Sequence, residues 1–311
     1  MPQKVLLIAD PGIDTAFAVA LALLDQNLEV VGLAPTGGNI AAQQATINVH
    51  TLITQLDPRR WPRLGSAMPV AYDVDGSDLH GADGLGNVRF PEISLHSPPT
   101  SDRLIVDLVR QHPNELTIVC LGPATALAGA LQRDRTIADQ IRRLVLLGGA
   151  WHEPGNVTAA SEFHFYCDPE AARAVLHSGL RITLVPLDIM RKLVFSPTDL
   201  LQLPVPDSPT AQFLRKIIPF GIRATANAYG IEGMHLKDVM GIVAVSAPAA
   251  LSTKRYYVNV ETRGELTRGM SIVDSRPKPA SPPNVDLAVG VDLTLVREYI
   301  YKTLKNADQG F

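Results

Sequence analysis

Cysteine is scarce in this chain: 311 residues include only Cys120 and Cys167. Two thiols so far apart make no disulfide framework, so stability must come from an apolar core, and a reducing cytoplasm is the expected setting. Cys120 lies in the apolar run LTIVCLG and reads as core, because a free cysteine packs like a small hydrophobe. Runs of Lys or Arg are also missing and the formal net charge is −3, which argues against binding nucleic acid through a basic surface. The apolar run in MPQKVLLIADPG is cut by Asp10 and Pro11. That is too early for a signal-peptide core or a membrane span, and the run reads as a first β-strand. No internal repeat or low-complexity tract is visible, and neither is a Walker motif or phosphate-cradling Gly-rich loop.

Apolar material, by contrast, is plentiful: 46% of residues are apolar and 19% charged, ample for a large core. Short apolar runs at 5–9, 30–36, 117–122, 144–149 and 182–188 read as strands. Between them lie TAFAVALALLDQ, AAQQATINVHTLITQL, DRLIVDLVRQH, ATALAGALQRD and PEAARAVLHSG, with apolar residues at three- and four-residue spacing. Strand–helix alternation with near-continuous apolar strands predicts an α/β fold around a mainly parallel sheet flanked by helices. Residues 1–311 are read as one domain. In such a sheet the ligand lies at the carboxyl ends of the strands. The second half is less regular: 197–215 is Pro-rich and polar, and 216–251 reads as helical with glycine interruptions. YYVNVETRG and MSIVDSRPK suggest a hairpin, a Pro cluster at 277–283 a loop, and about 292–306 a final helix.

Chemistry-bearing residues gather at the strand ends. Asp10-Pro11-Gly12-Ile13-Asp14-Thr15 follows the first strand directly. Two carboxylates four residues apart on a Pro-Gly turn suit a hard cation, a sugar diol, or general-base work on water. On spacing alone the favoured reading is plainer: Asp14 before an apolar helix is an ordinary helix N-cap.

The run resembles the D-x-D-P-G-x-D-D signature of the inosine–uridine nucleoside hydrolase superfamily, and the resemblance continues in order along the chain. Thr36-Gly37-Gly38-Asn39 is similar to the family's second-strand G-N turn, and His80-Gly81-Ala82-Asp83-Gly84-Leu85-Gly86 to its H-G-x-D-G-L-G loop. Leu121-Gly122-Pro123 resembles its L-G-P turn. Gly148-Gly149, Gly155-Asn156-Val157-Thr158 and Glu162-Phe163 resemble its M-G-G…G-N-x-T…E-F-N block, with Asp168-Pro169-Glu170 after it. Leu266-Thr267-Arg268-Gly269-Met270 and Asp274 resemble its late hairpin. The resemblance implies an N-ribosyl hydrolase that is commonly dimeric or tetrameric, acting on a small nucleoside or related riboside, with no nucleic-acid or membrane partner. It implies that Asp10 activates the attacking water and touches Ca²⁺, with the Leu121 carbonyl and Asp238 as further calcium ligands. Asp14, Asn39, His80, Asn156, Glu162 and Asp238 form the implied substrate-binding set around the ribose hydroxyls and its 5′ end. Such a site suits an oxocarbenium-like sugar, which calls for a base for water and negative groups around the ribose.

The departures fall inside the implied site. Ile8 and Thr15 stand where the signature has its first and last aspartates, and the last is a calcium ligand in the family. Loss of a carboxylate weakens a Ca²⁺ shell, so a weakened metal site is expected. The family's E-F-N reads Glu162-Phe163-His164, its T-N reads Thr125-Ala126, and its H-D-P reads Lys237-Asp238-Val239. Two readings follow. In one, the chain is a divergent hydrolase with Lys237 or His164 as acid or as a cation near the ribose, and Lys237 replaces part of the calcium charge. In the other, it binds ribosides without efficient turnover. The plainer alternatives are a solvated surface lysine for Lys237 and a satisfied core histidine for His164. His235 is a substitute acid only if it swings in.

Overall fold

The computed structural model describes residues 2–91, 93, 97–203 and 208–306. The first strand, β1 (Gln3–Ala9), is buried from Val5 to Ala9 because neighbouring strands and covering helices leave neither of its faces to water. It leads through Pro11-Gly12 into α1 (Ile13–Leu24), whose residues are buried continuously from Ile13 to Ala22. A helix apolar all round belongs inside the protein, and α1 packs against the other covering helices as well as the sheet. Next come β2 (Leu28–Pro35), α2 (Ala42–Leu56), β3 (Arg63–Leu64), α3 (Ser77–His80), α4 (Ser101–Gln111), β4 (Thr117–Cys120) and α5 (Thr125–Arg133). They are followed by β5 (Arg143–Leu147), α6 (Phe163–Cys167), α7 (Pro169–Leu176), β6 (Ile182–Val185), α8 (Leu187–Met190), β7 (Val194–Phe195) and α9 (Pro197–Leu201). The last third holds α10 (Pro209–Tyr229), β8 (Met234–His235), α11 (Val239–Ser246), β9 (Leu251–Val260), β10 (Ser271–Asp274), β11 (Val285–Val291) and α12 (Leu293–Asn306).

Nine strands form one sheet in the order β10-β9-β11-β6-β5-β4-β1-β2-β3, and β7 pairs with β8 in a separate ribbon. From β11 to β3 every neighbouring pair is parallel; β9 is antiparallel to both β11 and β10. This is the mainly parallel α/β sheet that the strand–helix alternation predicts. Chain order reverses at β1, since β2 and β3 extend the sheet to one side and β4 opens the other. The crevice above β1 and β4 is therefore a topological switch point, where open α/β sheets bind ligands.

The observed elements depart from the sequence pattern in the second half. β11 is a strand that the pattern does not predict: Asp286 and Gly290 interrupt the apolar run of VDLAVGV, yet the strand inserts between β6 and β9. The expected helical region at 216–251 instead begins earlier, at Pro209, and divides into α10, β8 and α11. Pro209 fits there because the first helical position needs no N–H, and the Ser208 hydroxyl accepts the N–H of Ala211. Gly230, in the left-handed conformation with φ 67°, stops α10. The expected hairpin is present as β9 and β10, with Ser271 opposite Val260.

Aromatic packing anchors α1 to the ribbon. Phe17 is fully buried and meets Phe195 edge to face, with ring centroids 5.3 Å apart. Phe17→Ala should lower unfolding free energy by about 3–5 kcal/mol, the usual cost of deleting a buried ring, as read from denaturant titration.

Candidate active site

Asp10 begins the site. It follows β1, is fully buried, and sits between two glycine turns from the neighbouring strands. One turn contains Gly38, beyond β2, and the other Gly122, beyond β4. A Cβ added at Gly122 would stand 2.6 Å from Asp10 Oδ1, and one at Gly38 would collide with Oδ2. Only a hydrogen at each position lets the carboxylate settle in the switch-point crevice. The N–H of Asn39 donates to Asp10 Oδ2 at 3.1 Å, and the Asn39 side-chain amide donates to the Asp10 carbonyl at 3.0 Å. Asp10 Oδ1 has no hydrogen-bond partner among the described residues. A buried carboxylate oxygen left unpaired is costly and marks a place prepared for another molecule.

Asp14 and Thr15 lie in the first turn of α1, both buried. Gly12, not Asp14, occupies the cap position and no side chain caps the helix, so Asp14 is not a capping residue. Instead the N–H of Ile13 donates to His80 Nδ1 at 3.2 Å, and that nitrogen is 4.0 Å from Asp14 Oδ1. His80 thus serves the helix start as a neutral acceptor, and burial pushes its pKa down to about 4 in spite of Asp14. The Thr15 hydroxyl donates to Asp238 Oδ2 at 2.6 Å. Asp238 precedes α11 and is buried there without capping that helix. Burial and mutual repulsion with Asp14 raise Asp10 and Asp238 well above the ordinary carboxylate range. The N–H of Asn39 and the hydroxyl of Thr15 respectively oppose that rise, and Lys237 opposes both.

Lys237 is not a solvated surface lysine. It is half-buried and lines a hollow with Asp14, His80, Asn156, Arg191, Tyr229 and His235. Burial alone would lower its pKa, but Asp14, Asp238, Tyr229 and Glu162 outweigh burial and hold it above the usual lysine value. Nor is His164 a satisfied core histidine: it is buried, but its Nδ1 has no hydrogen-bond partner among the described residues and lies 3.5 Å from Glu162 Oε1. Glu162 spends its other oxygen on the fold, accepting the N–H groups of Gly149, His164 and Phe165. Asn156 likewise uses Oδ1 to accept the N–H of Phe163. Leu121 follows β4 beside Gly122, its N–H bonded to the Ile8 carbonyl, at the strand end nearest Asp10.

The structure therefore brings the residues singled out from the sequence to one edge of the sheet. Residues not singled out are Arg191, which pairs with Glu153 at 3.5 Å, and Tyr229 and Thr225 from α10. Sequence offers no signal for these three, because they approach from elements remote from the motifs. Among the described residues no three or more His, Cys, Asp or Glu side chains are arranged to hold a metal ion. The hollow of about 480 Å³ near Leu28, Arg59 and Arg60 lies at the amino end of β2, away from this chemistry.

The sequence profile described as inosine-uridine preferring nucleoside hydrolase matches residues 5–298. The chain belongs to this family. Uridine nucleosidase 1 of Arabidopsis thaliana is 33% identical over 309 residues, covering 96% of this chain and 92% of that protein. The inosine-uridine preferring nucleoside hydrolase of Leishmania major is 30% identical over 286 residues, covering 90% of each. A solved plant nucleoside hydrolase superposes with a TM-score of 0.90 at 30% identity, over 98% of this chain and 99% of its own. As a nucleoside hydrolase, the chain is a glycosidase that cleaves the N-glycosidic bond of a nucleoside or related riboside to free base and ribose. The alternative of a homologue that binds without efficient turnover draws no support from these likenesses.

The glycine cradle gives a direct test. Gly122→Ala should preserve the circular dichroism spectrum while displacing Asp10, and ribose release from uridine should fall about a hundredfold, as misplacement near 1 Å can cause. Unchanged turnover would show that the close approach is unimportant.

Proposed function

We propose that Asp10 is the general base of this hydrolase, taking a proton from the water that attacks C1′ of the ribose. The observation that carries the reading is the unpaired, buried Oδ1 of Asp10 in the switch-point crevice. The carboxylates of Asp14, Glu162 and Asp238 lend negative charge around a sugar that turns cationic as its bond to the base breaks. Asn39, His80 and Asn156 complete the substrate-binding set. The N–H that Asn39 donates to Asp10 Oδ2 orients the carboxylate and leaves Oδ1 for the water. His164 and Lys237 are the groups available to meet the hydroxyls or the departing base.

The remaining donor set suits a calcium ion poorly. Asp10, Asp238 and the Leu121 carbonyl stand where family ligands are implied, but Thr15 brings a neutral hydroxyl that already donates to Asp238. We therefore assign no step to a metal. The two buried free thiols, Cys120 and Cys167, suit the reducing cytoplasm. Among the described residues no helix is long and apolar enough to cross a membrane. Self-association into a dimer or tetramer would cover exposed Leu266 and Ile272 near the edge strand β10.

A reducing-sugar assay with uridine and inosine tests the assignment of the base. Asp10→Asn should lower ribose release to the uncatalysed level, because an amide cannot accept the proton. Ribosides should still raise the variant's melting temperature by mass action. Ribose release that survives the substitution would overturn the role given to Asp10.

A further inference from the structure

Three carboxylates, Asp10, Asp14 and Asp238, are buried within one small region. Crowded negative charge of this kind needs a cation close by, since both desolvation and mutual repulsion act against ionisation. A divalent ion would serve, yet the first turn of α1 carries Thr15 and the described residues arrange no three-ligand cluster. Thr15 also turns its hydroxyl proton to Asp238 Oδ2, partly satisfying that carboxylate. A different cation lies in the adjoining hollow. Lys237 immediately precedes Asp238 and lines the hollow that Asp14 lines, and no hydrogen bond or ion pair holds its ammonium among the described residues. The other cationic groups are less suited: His80 and His164 are pushed toward the neutral form, and Arg191 is paired with Glu153.

We propose that the Lys237 ammonium, in the hollow that Asp14 lines and next to Asp238 in the chain, balances the charge of Asp10, Asp14 and Asp238 through space in place of a divalent metal, and that the protein holds ribosides without calcium. The inference rests on reading this pocket as the ribose site. A lysine is a compact charge with three rotatable donors, so it can balance the carboxylates and still donate to a sugar hydroxyl. It supplies one charge where calcium supplies two. The Thr15 hydrogen bond compensates part of the difference by stabilising the Asp238 carboxylate directly.

The test uses calcium itself. Chelator-treated protein titrated with CaCl₂ in a calorimeter should bind no tighter than about 10⁻⁴ M, and tighter binding overturns the proposal. Lys237→Ala leaves the carboxylates uncompensated, so Ca²⁺ should raise the melting temperature of this variant and not that of the parent. Adding Thr15→Asp should enlarge the rise. A folded Lys237→Ala protein indifferent to Ca²⁺ would also overturn the proposal. If that variant does not fold, the parent's titration decides alone, with Lys237→Arg expected to keep the parent's indifference. Thermal shift with uridine in the presence of chelator separates the two readings. Loss of the shift on chelation that CaCl₂ restores counts against Lys237 as the cation. No shift under either condition counts against the ribose pocket, and the calorimetric titration then decides the cation by itself.

Discussion

Burying three carboxylates at one point is the constraint to which the rest of this structure answers. Each ionised acid loses hydration on burial, and their repulsion adds to the cost, so Asp10 and Asp238 are pushed strongly toward protonation. The protein offsets this with donors rather than by exposing the acids. The N–H of Asn39 serves Asp10, the Thr15 hydroxyl serves Asp238, and the start of α1 places Asp14 where the helix dipole favours negative charge. Lys237 acts on all three through space. The outcome is a basic oxygen, Asp10 Oδ1, held unpaired inside a protein that otherwise satisfies most of its buried polar atoms.

The sheet topology explains why these groups can meet at all. Asp10, Asn39 and Leu121 belong to loops after three adjacent parallel strands, β1, β2 and β4, so their convergence follows from strand order alone. Asp238 and Lys237 come from more than two hundred residues further along than Asp10. They reach the same point because α11, an almost wholly buried apolar helix, packs on α1. Gly241 within α11 lets it approach the sheet closely, where an added Cβ would stand 2.6 Å from the Leu121 side chain. Core packing and site assembly are thus one event.

Much of this is legible in the sequence, for particular physical reasons. The parallel strands announce themselves because burial on both faces demands unbroken apolar runs, as in VLLIA and TIVC. The strand-end residues Asp10 and Asn39 stand out because polar groups beside such runs are expensive unless used. The glycines at 38 and 122 are visible within motifs, but their purpose depends on a carboxylate brought between them from another strand. β11 is obscured because Asp286 and Gly290 break its pattern, and its place in the sheet comes from pairing with β6 and β9. The burial of Lys237 is hidden for the opposite reason. A lysine beside an aspartate reads as a solvated surface residue, and only the tertiary arrangement turns it into the hollow that Asp14 lines.

Thr15 and Lys237 are best understood together. Either substitution alone would leave the site badly balanced. An aspartate at 15 beside Lys237 would add a fourth acid that a single ammonium cannot balance, while Thr15 without Lys237 would leave three buried acids and no nearby lysine. With both present, the charge sum of the local cluster moves toward neutrality, which on the proposed reading needs no bound ion and leaves Asp10 to act as the base. His164 extends the same logic. Its Nδ1, 3.5 Å from Glu162 and without a hydrogen-bond partner among the described residues, is a neutral group that on the proposed reading can accept or donate without adding charge to the cluster. On the proposed reading, Thr15 and Lys237 act as one connected pair of departures from the family's pattern, with a covalently attached cation in place of a captured one.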